Sequence, residues 1–450
     1  RYVKFLEGIV LSILILGVIL IPFLTSLFLK VIGKYLNELL TNFITLNAAM
    51  LSLATSFFLF GYIFFDKFKP LKFELFQWFP KPEINFEFYL DGLSGVMMVL
   101  ICGLSLVIQL FSTSYMSKDE NYTKYFEYFN FFVFSMLLLV LSGNFLVMFF
   151  GWELVGLSSY LLISFWSEKK SAARAGNKAF ILNRIGDFGF LIGLMMIISE
   201  FQTFNFLSIF ESTLETKPEN LDVMIVFLLL GAFGKSAQFP LFSWLPDAME
   251  GPTPASALIH AATMVTAGVF MLVRISPILQ FSELGSLIII SMGLLTALIA
   301  AFAAINQKDI KKVLAYSTIS QLGFMFIAIG SGAYVAAIFH LVTHAFFKAL
   351  LFLGAGAVIH EMHHEQNIYK MGGLRKKMPV TAAMMGIGTL AISGIPPLAG
   401  FWSKDEILAS VFSRGGIYYG FWALSLLAAF MTAFYCLLYT SPSPRDPTKS

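Results

Sequence analysis

Apolar runs long enough to cross a lipid bilayer recur along almost the whole chain, and nothing else constrains its fold as strongly. Residues 9–29 carry no ionisable side chain, and about 20 apolar residues suffice for a transmembrane helix. Inside lipid every backbone N–H and C=O needs a partner. For runs of this length that requirement selects helices, because neither a barrel nor an open sheet fits. Composition agrees with this reading. The chain is 58% hydrophobic and 13% charged, with mean hydropathy +0.78, whereas soluble domains are about 25% charged. A soluble enzyme and a disordered chain are both excluded. The net charge of +3 is too small to imply nucleic acid. Cys102 and Cys436 lie inside apolar stretches and form neither a disulfide framework nor a metal spacing.

The expected fold class is an all-α polytopic membrane protein of about thirteen transmembrane helices. They fall near residues 8–29, 42–65, 94–115, 125–143, 144–166, 175–199, 222–246, 254–280, 284–305, 310–331, 333–360, 380–412 and 416–440. The first is longer than a signal core and lacks a small-residue cleavage site, so it counts as a span. Loops after odd-numbered spans hold fifteen lysines and arginines, Lys311 and Lys312 among them, against nine in the N-terminus and the even-numbered loops. That asymmetry places the odd loops in the cytoplasm and the N-terminus outside, with a bacterial inner membrane as the setting. Both ends read as cut: the chain opens on Arg1, and Ser441–Ser450 has no apolar residue. The tail is expected to be either a native disordered terminus or appended foreign sequence, and no function is assigned to it.

Few ionisable residues interrupt the apolar spans. An ionisable group at membrane depth costs at least about 2.5–3.5 kcal/mol, so it faces a partner or water and marks an ion path. The set is Glu153, Asp187 with Arg184, Lys235, His260, His340, His344, Lys348 and Lys404. Glu153 stands mid-span in Gly151-Trp152-Glu153-Leu154-Val155-Gly156. Burial raises a carboxyl pKa and a nearby lysine lowers it, which poises such a group for proton exchange; a purely structural hydrogen bond is the plainer alternative. Lys235 precedes Pro240, and Gly231 and Gly234 loosen the turn before it. The proline should break the seventh span midway, and transporters use such breaks at ion sites. Ser393-Gly394-Ile395-Pro396-Pro397 beside Lys404 repeats the device five spans later. The pair points to inverted five-helix repeats, residues 125–280 against 281–440, after three N-terminal spans over 1–124.

His340, His344 and Lys348 recur every fourth residue and so lie near one helix face. With His260 they form a row of groups able to pass protons through intervening water. A metal at His-x3-His and histidines hydrogen-bonded in a bundle are the alternatives. His360, His363 and His364, with Glu361 and Glu365, read as a solvated helix end. No dinucleotide-type glycine fingerprint, no phosphate-binding loop and no cysteine cluster for iron–sulfur is present. The sequence therefore shows no redox centre and no ATP site of its own.

Several motifs together carry a resemblance. They are Gly151–Gly156, Gly234-Lys235-Ser236-Ala237-Gln238, Trp244-Leu245-Pro246-Asp247-Ala248 running on to His260, His344-Ala345-Phe346-Phe347-Lys348-Ala349 and Met371-Gly372-Gly373-Leu374. Over roughly residues 10–440 the chain resembles the antiporter-like subunits of respiratory complex I, NADH:quinone oxidoreductase, in particular subunit L and its mitochondrial equivalent, subunit 5. The resemblance implies a proton-translocating subunit without a cofactor. NADH, FMN, iron–sulfur clusters and quinone would sit in partner subunits, and other membrane-arm subunits and the bilayer would surround the chain. It further implies that Glu153 pairs with Lys235 with Asp187 nearby, that His260, His340, His344 and Lys348 form a central polar axis, and that Lys404 lies at the exit. The family continues through further spans and a long lateral helix beyond the point where this sequence stops. Multisubunit sodium/proton antiporters share the motifs and supply one rival reading. A scaffold that only anchors partners supplies the other.

Overall fold

The computed structural model describes residues 2–80 and 83–438; Lys81 and the Ser441–Ser450 tail lie outside the described residues. Helices α1 (Tyr2–Ile32) and α2 (Glu38–Phe65) are followed by an antiparallel hairpin of β1 (Leu71–Pro80) and β2 (Glu83–Leu90). Next come α3 (Gly92–Tyr115), α4 (Tyr122–Val140), α5 (Phe145–Ile163), α6 (Lys170–Phe201) and the short α7 (Phe206–Glu215). The centre holds α8 (Leu221–Lys235), α9 (Thr253–Ala261), α10 (Ala267–Arg274) and the single turn α11 (Ser276–Leu279). The chain ends in α12 (Glu283–Ile305), α13 (Ile310–Gly330), α14 (Tyr334–Glu361), α15 (Pro379–Ser393), α16 (Ala399–Ser413) and α17 (Tyr418–Leu438). Among the described residues, ten helices are long and apolar enough to cross a membrane, α9 and α10 taken together as one.

Local chemistry sets many of the helix starts. Asn37, Asp91, Asn144, Asn205, Ser282 and Asp309 each accept a backbone N–H of the first turn, at 2.8–3.2 Å. These are the residue types that satisfy the orphan donors of a helix N-terminus. Burial then separates the centre from the rim. In the apolar 18-residue stretch of Thr253–Arg274 and of Ile310–Gly330, 94% of the residues are buried, against 28% in those of Gly8–Tyr35 and Glu38–Phe65. The buried lysines and histidines fall on α8, α9, α13, α14 and α16, and the phenylalanines Phe57 and Phe58 of α2 are exposed.

Small residues bring α6 and α8 together, as in other membrane bundles. A Cβ on Gly186 would lie 2.7 Å from the Leu230 carbonyl oxygen. That close approach puts Asp187, the next residue, beside the end of α8.

Three features depart from the sequence expectations. First, helix α8 ends at Lys235, five residues before Pro240, and a run of turns over 236–246 replaces the second half of the expected 222–246 helix. Second, the eighth span is also interrupted, between α9 and α10, although no proline marks the place. Third, residues 71–90, expected to be a connection, form the hairpin. Their alternation of apolar and charged residues (Leu71, Lys72, Phe73, Glu74) carries the period of a strand. Glu87 anchors the hairpin by accepting from Asn205 Nδ2 at 2.7 Å and Asn144 Nδ2 at 3.2 Å and by pairing with Lys72 at 3.0 Å.

Where β2 meets α3, Asp91 takes both guanidinium nitrogens of Arg274, at 2.5 and 3.0 Å, from the end of α10. Burial pushes the Asp91 carboxyl up. The charge and hydrogen bonds of Arg274, with those of Ser94, outweigh it and hold the group below the usual carboxylate range. A carboxylate whose folded-state pKa is depressed adds stability above its unfolded value, near about 3.9, and loses that contribution as pH falls through the depressed value. The thermal midpoint of the solubilised protein should therefore drop on acidification below about pH 4, and Asp91→Asn should flatten that part of the profile. Identical acid profiles for the two proteins would contradict the pairing.

Candidate functional site

The last residue of α8, Lys235, is fully buried. Its ammonium reaches Asp187 Oδ2 at 3.3 Å and lies 5.7 Å from the centre of the Trp152 ring. Asp187 Oδ1 accepts from Trp152 Nε1 at 2.7 Å, so one carboxylate joins α5, α6 and α8. A Cβ on Gly156 would come within 2.8 Å of Lys235 Nζ; glycine is the residue that leaves the ammonium room.

The pair implied by the resemblance is exchanged here. Lys235 is bound by Asp187, and Glu153 is bound by Arg184. Glu153 remains within electrostatic reach of both Lys235 and Asp187, so the four groups form one cluster. The reason is geometric. Arg184 and Asp187 lie nearly one turn apart on α6, and α6 packs against both α5 and α8. The Glu153–Arg184 pair is the outer one: its side chains are 19% and 45% exposed on this chain, against 0% and 5% for Lys235 and Asp187.

The break after Lys235 leaves helix-end carbonyls in the interior, and the turns satisfy them. Ser236 N–H donates to Ala232 at 2.9 Å, Gln238 N–H to Phe233 at 2.9 Å and Trp244 Nε1 to Gly234 at 3.0 Å. On the same segment Ser236 Oγ and Gln238 Oε1 are buried without a hydrogen-bond partner among the described residues. His260, the penultimate residue of α9, is fully buried, and both of its ring nitrogens are likewise without one. Its ring lies 4.8 Å from that of Phe352 on α14, and His344 and Lys348 of that helix are within electrostatic reach.

Helix α14 presents His340, His344 and Lys348 to the interior, all fully buried. Lys348 Nζ donates to the Leu314 carbonyl at 3.1 Å and to Ser317 Oγ, both on α13. His344 turns toward the Ala261 backbone, yet its ring nitrogens meet no partner in hydrogen-bonding geometry. His340 Nδ1 lies 2.9 Å from Ser403 Oγ and Nε2 lies 3.2 Å from Gln321 Oε1. Ser403 precedes Lys404, whose ammonium donates to the Ile392 carbonyl at 2.5 Å and lies 5.3 Å from the Phe324 ring centre. Ile392 closes the helix before the Gly394–Pro397 break, so a cation sits at the negative end of α15.

Sequence reasoning missed two buried cations. Lys311 counted there as a loop lysine; it is 2% exposed and donates to the carbonyls of Met249 at 2.5 Å and Gly251 at 2.8 Å. Its neighbours Lys308, Asp309 and Lys312 disguise it as part of a charged loop. Arg274 stands at the end of an apolar run and gave no signal of its partner, Asp91. The polar groups of His360–Glu365 sit at the end of α14, where Glu365 pairs with Lys370 at 3.1 Å. Among the described residues no group of three or more His, Cys, Asp or Glu side chains is placed to hold a metal ion.

With this geometry in place, similarity to known proteins is informative. Residues 142–437 match the family described as the NADH:quinone oxidoreductase/Mrp antiporter transmembrane region. Residues 78–126 match the N-terminal region of complex I chain 5. NADH-ubiquinone oxidoreductase chain 5 of Acanthamoeba castellanii is 45% identical over 93% of this chain and 64% of its own length. NADH-quinone oxidoreductase subunit L of Rickettsia bellii is 49% identical over 79% and 56%, so the chain spans about three-fifths of these relatives. Among solved structures, the Mrp complex of Dietzia sp. superposes with TM-score 0.84 at 30% identity, over 96% of this chain and 47% of that one. An archaeal membrane-bound sulfane sulfur reductase superposes with TM-score 0.85 at 26% identity, over 95% and 87%. The chain belongs to the NADH:quinone oxidoreductase/Mrp antiporter family, on its subunit L or chain 5 branch, and is an integral multi-pass membrane protein.

The hydrogen bond that closes the α8 break is open to a direct test. Trp244→Phe removes the indole donor and leaves the Gly234 carbonyl with only the longer Ala237 N–H contact at 3.4 Å, a loss of about 0.5–1.5 kcal/mol. The variant should unfold at lower temperature than the parent, whereas an unchanged midpoint would show that the break does not need that bond.

Proposed function

We propose that this chain is a proton-translocating membrane-arm subunit of NADH:quinone oxidoreductase, driven by electron transfer in partner subunits that hold NADH, FMN, iron–sulfur clusters and quinone. In this reading it crosses the membrane thirteen times, with the α8 region and the α15–α16 pair as two broken crossings. The two inverted five-helix units are residues 125–280 and 281–440, the N-terminus is outside, and the setting is a bacterial inner membrane. The observation that carries the reading is the succession of buried groups Asp187, Lys235, His260, His344, Lys348, His340 and Lys404, interleaved with polar atoms that lack a protein partner among the described residues. Buried polar atoms are satisfied by protein or by ordered water, so the line they form is where internal water belongs. Titratable groups joined by water pass protons.

The work required is modest. Moving one charge against 100 mV costs about 2.3 kcal/mol, and one pKa unit is about 1.4 kcal/mol. A charge arriving on a neighbouring subunit beside the half-exposed Arg184 would draw Glu153 and Asp187 into new pairings. Lys235, with a weakened counter-charge, would release its proton toward His260. The histidines and Lys348 would carry it on to Lys404, which holds the far end of the track.

The structural likeness to an Mrp complex favours a second reading, a subunit of a multisubunit sodium/proton antiporter. One experiment addresses both readings. Lys235→Met in the assembled complex, in sealed vesicles, should lower the protons moved per NADH oxidised while electron transfer persists. An unchanged ratio would defeat the reading and favour a scaffold. Sodium movement without NADH-dependent proton uptake would favour the antiporter.

A further inference from the structure

The crossing made by α9 and α10 brings His260 to the centre of the track, and a cation fastens it at each end. Where the chain enters α9, Lys311 of α13 holds the carbonyls of Met249 and Gly251 at 2.5 and 2.8 Å. Gly251 is at the same time pressed against α5, so that a Cβ there would lie 2.9 Å from the Leu162 carbonyl oxygen. Where the chain leaves α10, Arg274 grips Asp91 with two nitrogens and Ser94 Oγ at 2.5 Å, with the Tyr89 and Phe270 rings 5.3 and 5.4 Å away. Between the two clamps the helix is interrupted over 262–266. Thr263 Oγ1 donates to the Leu258 carbonyl at 2.5 Å there, and Thr266 Oγ1 to the Thr263 carbonyl at 2.8 Å.

Neither clamp is cheap to build. An ammonium in the first turn of α13 sits at the positive end of that helix, where a cation is disfavoured. Its burial is offset by two carbonyls at the start of the α9–α10 crossing. The groups within electrostatic reach of His260 are Lys348 and His344 from α14 and Lys311 from α13. Around Lys311 stand Asp309, Glu250 and Lys169.

We propose that Lys311 and Arg274 are positioning residues for His260: they fix both ends of the α9–α10 crossing, so that movement is confined to the 262–266 interruption beside the histidine. The proposal rests on the proton-transfer reading above. Its test measures hydrogen exchange at the C2 carbon of the His260 imidazole by mass spectrometry in the assembled complex, together with coupled proton movement as a function of pH. Lys311→Met and Arg274→Met should change the His260 exchange rate and displace the pH profile. They should also lower coupled proton movement by about tenfold, since misplacement of a positioned group on the order of 1 Å costs that much or more. Lys311→Arg keeps charge and donors and should restore both readouts. Arg274→Lys keeps charge but not the two-pronged contact and should restore them in part.

Normal His260 exchange and an unmoved pH profile in methionine variants that assemble would overturn the proposal. If those variants fail to assemble, Arg274→Lys decides: altered His260 exchange supports the clamp, and parental exchange overturns it. Lys235→Met serves as the reference. If proton movement survives that change the functional reading fails, while His260 exchange still judges the clamps.

Discussion

Burying a cation among membrane helices is the constraint on which the structure turns. The bond between Lys235 and Asp187 shows how it is met: the ammonium is placed at a helix end, faced by a carboxylate and given space by Gly156. The other buried cations follow the same rule with different partners. Lys404 uses the Ile392 carbonyl near the end of α15, Lys348 a carbonyl and a hydroxyl on α13, Lys311 two carbonyls before α9, and Arg274 the Asp91 carboxylate. The end of a helix leaves carbonyls without an intrahelical partner. The α15–α16 interruption supplies Lys404 with such a carbonyl, whereas Lys235 and Arg274 rely on carboxylates and Lys348 on a carbonyl of the unbroken α13.

The histidines form a contrasting set. His260 and His344 are as deeply buried as the lysines, yet among the described residues their ring nitrogens meet no partner in hydrogen-bonding geometry. In the proposed path the imidazoles of His260 and His344 lie between the bound cations Lys235 and Lys348. A group held by strong partners would store charge, and an imidazole joined to its neighbours by water would hand a proton on. Pairing both kinds in one low-dielectric interior lets a change in one ion pair be felt several groups away, because Coulomb interactions are weakly screened there.

Much of this arrangement was legible in the residues. Long apolar runs defined most of the helices, and the Gly/Pro punctuation near Lys235 and Lys404 located two of the breaks, because proline removes a helix donor wherever it stands. The interruption after His260 was not legible, since hydroxyl groups of Thr263 and Thr266 make it and those residues also occur in intact membrane helices. The hairpin at 71–90 left a period of two in its first strand that aromatic residues blurred in the second. Lys311 was hidden by charged neighbours. The exchange of partners between Glu153 and Asp187 depends on how α6 rotates between α5 and α8, a property of packing that single-chain spacing does not encode.

The central claim is that the buried groups from Lys235 to Lys404 share one wetted path. A cryo-electron microscopy map of the assembled complex in lipid, at a resolution that shows ordered water, tests it most directly. The account predicts water density bridging Gln238, His260, His344 and Lys348 and continuing past His340 toward Lys404. A dry, side-chain-filled gap between His260 and Lys348 in every state of the complex would contradict it.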